Sequence, residues 1–156
     1  MNEIELFFNT IQQGKIEHVK AQLQRNPNLV STKDTRGFTP LIFASYFNKN
    51  DVVETLLNFK AEIDATDSSG NTALIGVAFK GNTDLAALLI QKGANLNAKN
   101  NQGITPLIFA TMYNQTKMVA MLLKHKADVT CKDKTGKTAL DFAKEKGFKA
   151  IIALFN

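Results

Sequence analysis

The strongest constraint on this chain is a six-residue pattern that returns every 33 residues. It reads TPLIFA at residues 39–44, TALIGV at 72–77, TPLIFA at 105–110 and TALDFA at 138–143. A glycine stands two positions before each of the four threonines. A fixed period of about 20–50 residues is typical of repeat proteins, in which each structural unit packs on its neighbours. The fold is therefore best derived from a single repeat.

Residues 34–66 show how one repeat is built. The sequence DTRG at residues 34–37 predicts a turn, because aspartate accepts local backbone hydrogen bonds and glycine permits positive φ. Thr39 can cap the helix that follows, and Pro40 suits its first position, where a missing N–H costs nothing. After a short loop, apolar residues at helical spacing predict a second helix over about 51–59.

The first 33 residues depart from this pattern but still predict two helices. Asn2 and Glu5 can form a capping box, and Gly14 ends the first helix. A second helix is predicted from Ile16, and the segment at residues 26–28 ends it. The apolar face expected for the first helix comprises Ile4, Phe7, Phe8 and Ile11.

The last copy stops within its second helix, which is rich in apolar residues. A terminal repeat needs a polar outer face. The sequence therefore predicts either a weakly capped edge or a surface that meets another subunit or a removed segment, and weak capping is the more ordinary outcome. The residues concerned are Phe148, Ile151, Ile152, Leu154 and Phe155.

The order of turn, Thr-Pro-Leu helix, short loop, Val-Val-x-x-Leu-Leu helix and Gly-Ala-x-Leu-Asn-Ala linker resembles the ankyrin repeat. The resemblance is strong over residues 34–148 and looser at both ends. It implies an all-α, ankyrin-repeat α-solenoid of about five helix-turn-helix units with projecting β-hairpin-like loops. It also implies a single domain over residues 1–156. The repeats would run over about 1–33 (a divergent N-terminal cap), 34–66, 67–99, 100–132 and 133–156 (a truncated C-terminal cap).

Two departures from the family pattern carry structural expectations. The family usually places His after Thr-Pro-Leu, where it hydrogen-bonds neighbouring backbone, whereas this chain has isoleucine in three repeats and Asp141 in the last. We therefore expect the repeats to be held together more by apolar packing. The family glycine that ends the second helix remains only as Gly93. Lys60 and Lys126 take its place elsewhere, and we expect both lysines in the left-handed conformation.

No pattern in the sequence predicts catalysis, a cofactor or a metal. Phosphate-cradling and dinucleotide-binding glycine motifs are absent. His18 and His125 fall in second helices of distant repeats and are expected on the surface. Cys131 is expected to be a small buried filler rather than a nucleophile or ligand. We therefore expect a protein that is not an enzyme.

Composition favours a cytoplasmic protein without a membrane span. The chain has one cysteine, no apolar run near the ~18 residues of a spanning helix, and an acidic N-terminus unlike a secretory signal. The net charge of +5 arises from residues 81–156, which hold 11 Lys/Arg and 5 Asp/Glu. We interpret these basic residues as a solvated lysine-rich surface rather than as a nucleic-acid-binding surface.

The ankyrin resemblance implies a protein-binding module whose partner docks on the concave side, on first helices and loop tips. Tyr46, Phe79 and Met112 would line up in successive repeats, with Phe47 and Tyr113 beside them. The same aromatic residues could instead pack between helices and only stabilise the stack. The full candidate set for the unidentified partner is Arg36, Phe38, Tyr46, Phe47, Phe79, Lys80, Ile104, Met112, Tyr113 and Lys146.

Two alternatives to protein binding as a monomer stay open. The basic C-terminal half could bind nucleic acid or an acidic partner, and the C-terminal edge could self-associate.

Overall fold

The structure, a computed structural model, describes residues 1–156 and contains helices and turns but no strand. The predicted all-α, ankyrin-repeat solenoid class is confirmed. A short 3₁₀ helix (Pro27–Ser31) follows the second helix. The ten α-helices are α1 (Glu3–Gln12), α2 (Ile16–Arg25), α3 (Pro40–Tyr46), α4 (Asn50–Asn58), α5 (Ala73–Lys80), α6 (Thr83–Gln91), α7 (Pro106–Met112), α8 (Thr116–Lys124), α9 (Ala139–Lys146) and α10 (Lys149–Leu154).

Backbone contacts divide the chain into two compact units, residues 1–73 and residues 74–156. In unit 1, α1 packs on α2 and α3, and α3 packs on α4. In unit 2, α7 packs on α8 and α9, and α10 packs on α8 and α9. The assignment of one domain to the whole chain stays a prediction.

Side-chain caps and prolines set where the first helices of the repeats begin. The Thr39 hydroxyl accepts a hydrogen bond from the Ile42 N–H at 3.1 Å, and the Thr105 hydroxyl accepts one from the Ile108 N–H at 3.2 Å. Pro40 and Pro106 occupy the first helical positions, as the sequence predicts. Each cap satisfies a backbone donor that has no partner within the helix, which stabilises a helix of only seven residues.

The isoleucines that replace the family histidine are buried. Ile42 is 8% exposed, while Ile75 and Ile108 are at most 1% exposed. Asp141, at the same position in the last repeat, is exposed and completes a capping box with Thr138. The other large buried side chains include Phe7, Ile11, Leu23, Leu41 and Leu56 in unit 1, and Leu74, Leu85, Leu89, Leu107 and Leu122 in unit 2.

Both chain ends expose apolar side chains. The predicted capping box of α1 is present. Ile4 shares a face of α1 with Phe8, because both line an open groove that also includes Phe43, but Ile4 remains 37% exposed. At the other end only Ile151 is buried; Leu154 is exposed, and Phe148, Ile152 and Phe155 are half-buried.

The predicted left-handed lysines are confirmed. Lys60 has a φ of 67° and Lys126 a φ of 65°, at the positions that follow α4 and α8. Gly93 occupies the equivalent position after α6 with a φ of 96°. A lysine Cβ is strained in this region whereas glycine is not, so both lysines destabilise their helix ends.

Asx turns form the projecting loops. The Asp133 carboxylate accepts hydrogen bonds from the backbone N–H groups of Thr135 and Lys137 at 2.9 and 3.0 Å. Asn100 holds the preceding turn in the same way, with its side-chain oxygen accepting from Gln102 and Ile104. Asp34 and Asp67 form the equivalent turns in unit 1. The predicted turns are therefore present, and an asparagine oxygen suffices to hold one.

Replacing either left-handed lysine with glycine is expected to stabilise the protein. Lys60→Gly and Lys126→Gly should each raise the free energy of unfolding by about 1 kcal/mol, because glycine carries no Cβ penalty at positive φ. Urea denaturation followed by circular dichroism measures the change. Lys60→Ala is the matched control, since it removes the charge but keeps the Cβ. Equal stability of the Gly and Ala variants would contradict the assignment of strain.

Asp133 is expected to make stability depend on pH under acidic conditions. Partial desolvation raises the pKa of Asp133, but hydrogen bonds from the Thr135 hydroxyl and from two backbone amides outweigh it and lower the pKa below 3.8. The stabilising contribution is therefore complete above that ordinary value and is lost as pH falls through the lower pKa of the folded protein.

Asp133→Asn should keep the turn at neutral pH, as Asn100 does, and should weaken the loss of melting temperature below pH 3.8. Thermal melts across this range provide the test. Glu62→Gln, at an exposed residue, is the control. An acid dependence as steep in Asp133→Asn as in the wild type would show that this carboxylate does not contribute.

Candidate functional site

Hydrogen bonds between neighbouring turns hold the loop tips in place within each unit. In unit 1 the Ser68 hydroxyl donates to the Arg36 carbonyl at 3.0 Å. In unit 2 the backbone N–H of Lys134 donates to the Gln102 carbonyl at 3.0 Å. A tip that is bonded to the next turn loses little conformational entropy when a partner binds to it. The loop tips are therefore a preorganised part of the candidate surface.

An aromatic cluster in unit 1, here called the Tyr46 cluster, comprises Phe38, Phe43, Tyr46 and Phe47. The Phe47 ring lies 4.8 Å from Phe43 and 5.1 Å from Tyr46, measured between ring centroids. Phe43 is buried and Phe38 and Phe47 are half-buried, whereas Tyr46 remains 48% exposed. The inner rings therefore support Tyr46 while about half of it faces solvent.

Arg36 is held at the edge of the Tyr46 cluster by its own turn. Its Nη2 and Nε donate to Asp34 Oδ2 at 3.0 and 3.2 Å. The guanidinium carbon also lies 4.5 Å from the centroid of the Phe38 ring, within the range of a cation–π contact. With 55% of its side chain exposed, Arg36 presents a positive group in one fixed position.

A second aromatic cluster in unit 2, the Tyr113 cluster, comprises Phe79, Phe109 and Tyr113. Phe79 meets the Tyr113 ring edge-to-face at 4.4 Å and the Phe109 ring at 5.2 Å. Phe109 and Tyr113 are 5.4 Å apart. Tyr113 is 51% exposed, and the two phenylalanines are half-buried. The cluster therefore ties α5 to α7 and leaves one tyrosine ring accessible.

The remaining predicted residues differ in exposure. Met112 and Ile104 are half-buried, while Lys80 and Lys146 are exposed at the last positions of α5 and α9. The sequence places Phe79 and Met112 in the predicted row with Tyr46, and Tyr113 beside it. In the structure Tyr113 is the more exposed. Phe43 and Phe109 belong to these clusters but were not among the residues predicted from sequence. The repeat marks both of them, because each is the fifth residue of TPLIFA.

The two histidines and the cysteine belong to neither aromatic cluster. His18 and His125 are exposed on and just after second helices. Cys131 is half-buried rather than buried as expected, because it lies in the linker between α8 and α9. Desolvation, with the nearby Asp128 carboxylate, raises the pKa of the Cys131 thiol and so disfavours the reactive thiolate. No group of three or more His, Cys, Asp or Glu side chains is placed to hold a metal ion.

None of the helices combines the length and the apolar character that crossing a bilayer requires.

Comparison with known proteins identifies the repeat. A family model described as ankyrin repeats (3 copies) matches residues 7–100 and again residues 76–156. The chain is also similar to the DNA-binding protein RFXANK of Homo sapiens, with 44% identity over 50 residues. That match covers 32% of this chain and 19% of the human protein, so it compares a part of each. The chain belongs to the ankyrin repeat family, whose members are generally non-catalytic protein–protein interaction modules.

Proposed function

We propose that this protein binds a partner protein without catalysis, through the faces of its first helices and the tips of its loops. This is the face that the family resemblance predicts to be concave. The observation that carries the proposal is the exposure of Tyr46 and Tyr113, each supported by phenylalanine rings. We also propose that the protein is located in the cytoplasm and is a monomer in solution.

Supported tyrosines are suited to act as anchors in an interface. Tyrosine is enriched among the few residues that carry most of the binding energy, and it offers both a large ring and a polar hydroxyl. Because inner rings already restrict Tyr46 and Tyr113, little side-chain entropy remains to be lost on binding. Each unit thus has one accessible anchor on a rigid base.

Charged side chains near each tyrosine would determine the orientation in which a partner binds. In unit 1, Arg36 supplies a charge whose position is set by Asp34 and Phe38. In unit 2, Lys80 lies next to Phe79 in sequence, and Lys146 ends the neighbouring first helix. Charged groups around an apolar centre steer association and select the partner more than they raise affinity.

A purely structural role in packing explains the buried phenylalanines, but it does not explain why the tyrosines are half exposed. Phe43 and Phe8 are each 6% exposed and pack edge-to-face at 5.1 Å, so they stabilise the α1–α3 interface. Tyr46 and Tyr113 leave about half of their surface in solvent, so their truncation removes much less buried area. Loss of binding with retained stability is therefore the expected signature of a functional role.

Affinity capture from native lysate tests the proposal. The wild type should retain a partner protein that the Tyr46→Ala/Tyr113→Ala variant loses, while circular dichroism and melting temperature change little. His18→Ala/His125→Ala is the matched control, because both histidines are exposed outside the first helices. A partner held equally by the wild type and the tyrosine variant would place the interface elsewhere.

Nucleic-acid binding is a second candidate function, favoured by the 11 Lys/Arg among residues 81–156 and by the partial similarity to the human DNA-binding protein RFXANK. It predicts an affinity that falls steeply with salt and that is weakened by Lys134→Ala, Lys137→Ala and Lys146→Ala. One of these lysines is already paired, since Lys137 Nζ lies 2.9 Å from a Glu145 carboxylate oxygen. Salt-insensitive or absent binding in a filter assay would exclude this function.

Self-association through the C-terminal edge is a third candidate, because Leu154 is exposed beside half-buried apolar residues of α10. Light scattering that shows a monomer at high protein concentration would exclude it.

A further inference from the structure

Unit 2 carries a strong positive charge. Residues 74–156 contain 12 lysines and 5 acidic residues, whereas residues 1–73 contain 7 Lys/Arg and 9 acidic residues. The positive potential of the protein is therefore concentrated in the unit that presents the Tyr113 cluster. A surface of one sign attracts partners of the opposite sign and raises their rate of association.

Four of the five acidic side chains in unit 2 form hydrogen bonds or an ion pair with nearby residues of the chain. Asp128 accepts from Thr130, and Asp133 holds its turn. Asp141 caps α9, and Glu145 pairs with Lys137. Hydrogen bonding to these groups also lowers the pKa of Asp128 and of Asp141. With 12 lysines and 5 acidic residues, unit 2 therefore keeps a net excess of positive charge.

Two of the lysines end helices that contact α7 or Tyr113. Lys80 is the last residue of α5, Tyr113 follows α7, and Lys146 is the last residue of α9. The order of these helix ends is fixed, because Phe79 contacts Phe109 and Tyr113 while α7 packs on α9. Gln115 Nε2 also donates to the Phe79 carbonyl at 2.9 Å, which ties the end of α5 to the loop after α7.

We infer that these helix ends bind an extended acidic segment of a partner protein, with a carboxylate at Lys80, apolar side chains at Tyr113 and a second carboxylate at Lys146. The inference rests on the proposed protein-binding function and assigns a chemistry to its partner. Packed helices lie about 8–10 Å apart, so two steps span roughly 20 Å. An extended chain covers that length in about six residues. Between the two acids, the second and fourth side chains then point to the same side as the acids themselves.

A polypeptide fits this surface better than a nucleic-acid backbone does. Phosphates follow one another at short, regular intervals and are matched by a continuous row of cations. Here the centre of the row is a tyrosine, and Glu145 places a carboxylate immediately before Lys146 in sequence. Two separate acids with apolar residues between them match two cations that have a tyrosine between them.

The test uses the full chain and a fluorescein-labelled peptide in an anisotropy titration. In the peptide, two aspartates stand about six positions apart, leucines take the second and fourth positions between them, and the rest are serines. One comparison peptide replaces both aspartates with asparagine, and another places them side by side at the same composition. The designed peptide should bind about tenfold more tightly than either, because one charge-assisted contact is worth roughly that factor.

Variants of the protein then locate the site. Tyr113→Ala and Lys146→Ala should each weaken the designed peptide about tenfold. Lys149→Ala, which removes an exposed charge from the first turn of the outer helix α10, should leave its affinity unchanged. Circular dichroism of each variant should match the wild type.

Three outcomes would overturn the inference. The first is that the designed peptide and the side-by-side peptide bind with equal affinity. The second is that Lys149→Ala weakens binding as much as Lys146→Ala, and the third is that a DNA duplex or a second copy of this chain binds more tightly than the peptide. Any of them would leave the proposed function standing if lysate capture still yields a partner protein that the tyrosine variant loses. Loss of that result as well would remove the proposed function.

Discussion

The structure depends on the burial of short helices against the helices of neighbouring repeats. The first helices α3 and α7 contain seven residues, too few to be stable in isolation. They persist because threonine caps close their N-termini and because Leu41 and Leu107 are almost fully buried between packed helices. Packing between helix pairs is thus the condition for every other feature, including the rigidity of the loops.

This requirement separates structural from functional positions along each first helix. In α3, α5 and α7 the residues directly after the capping threonine are buried, and those at the end of the helix face solvent or neighbouring rings. Tyr46, Lys80, Tyr113 and Lys146 all lie at helix ends, where a change of side chain leaves the buried residues in place. Recognition can therefore vary while the scaffold is kept, which is how one fold serves many partners.

The features that were predictable from sequence are the local ones. The Asx turns, threonine caps and left-handed Lys60 and Lys126 follow from short-range backbone chemistry repeated at a fixed period. Exposure at the helix ends was not predictable in detail. Whether Tyr113 or Met112 faces solvent depends on how the rings of Phe79 and Phe109, from two different helices, are directed, and periodicity does not give that direction. The pairing of Arg36 with Asp34 and Phe38 is likewise a property of side-chain direction.

The central claim is that Tyr46 and Tyr113 contact the partner. These are the two tyrosines of a chain without tryptophan, so both can be followed individually by mass spectrometry after hydroxyl-radical oxidation. Both are oxidised readily in the free protein if about half of each side chain is exposed. A captured partner should protect at least one of them while His18 and His125 react as before. Unchanged tyrosine oxidation with protected histidines would place the interface away from the first helices and contradict the proposed function.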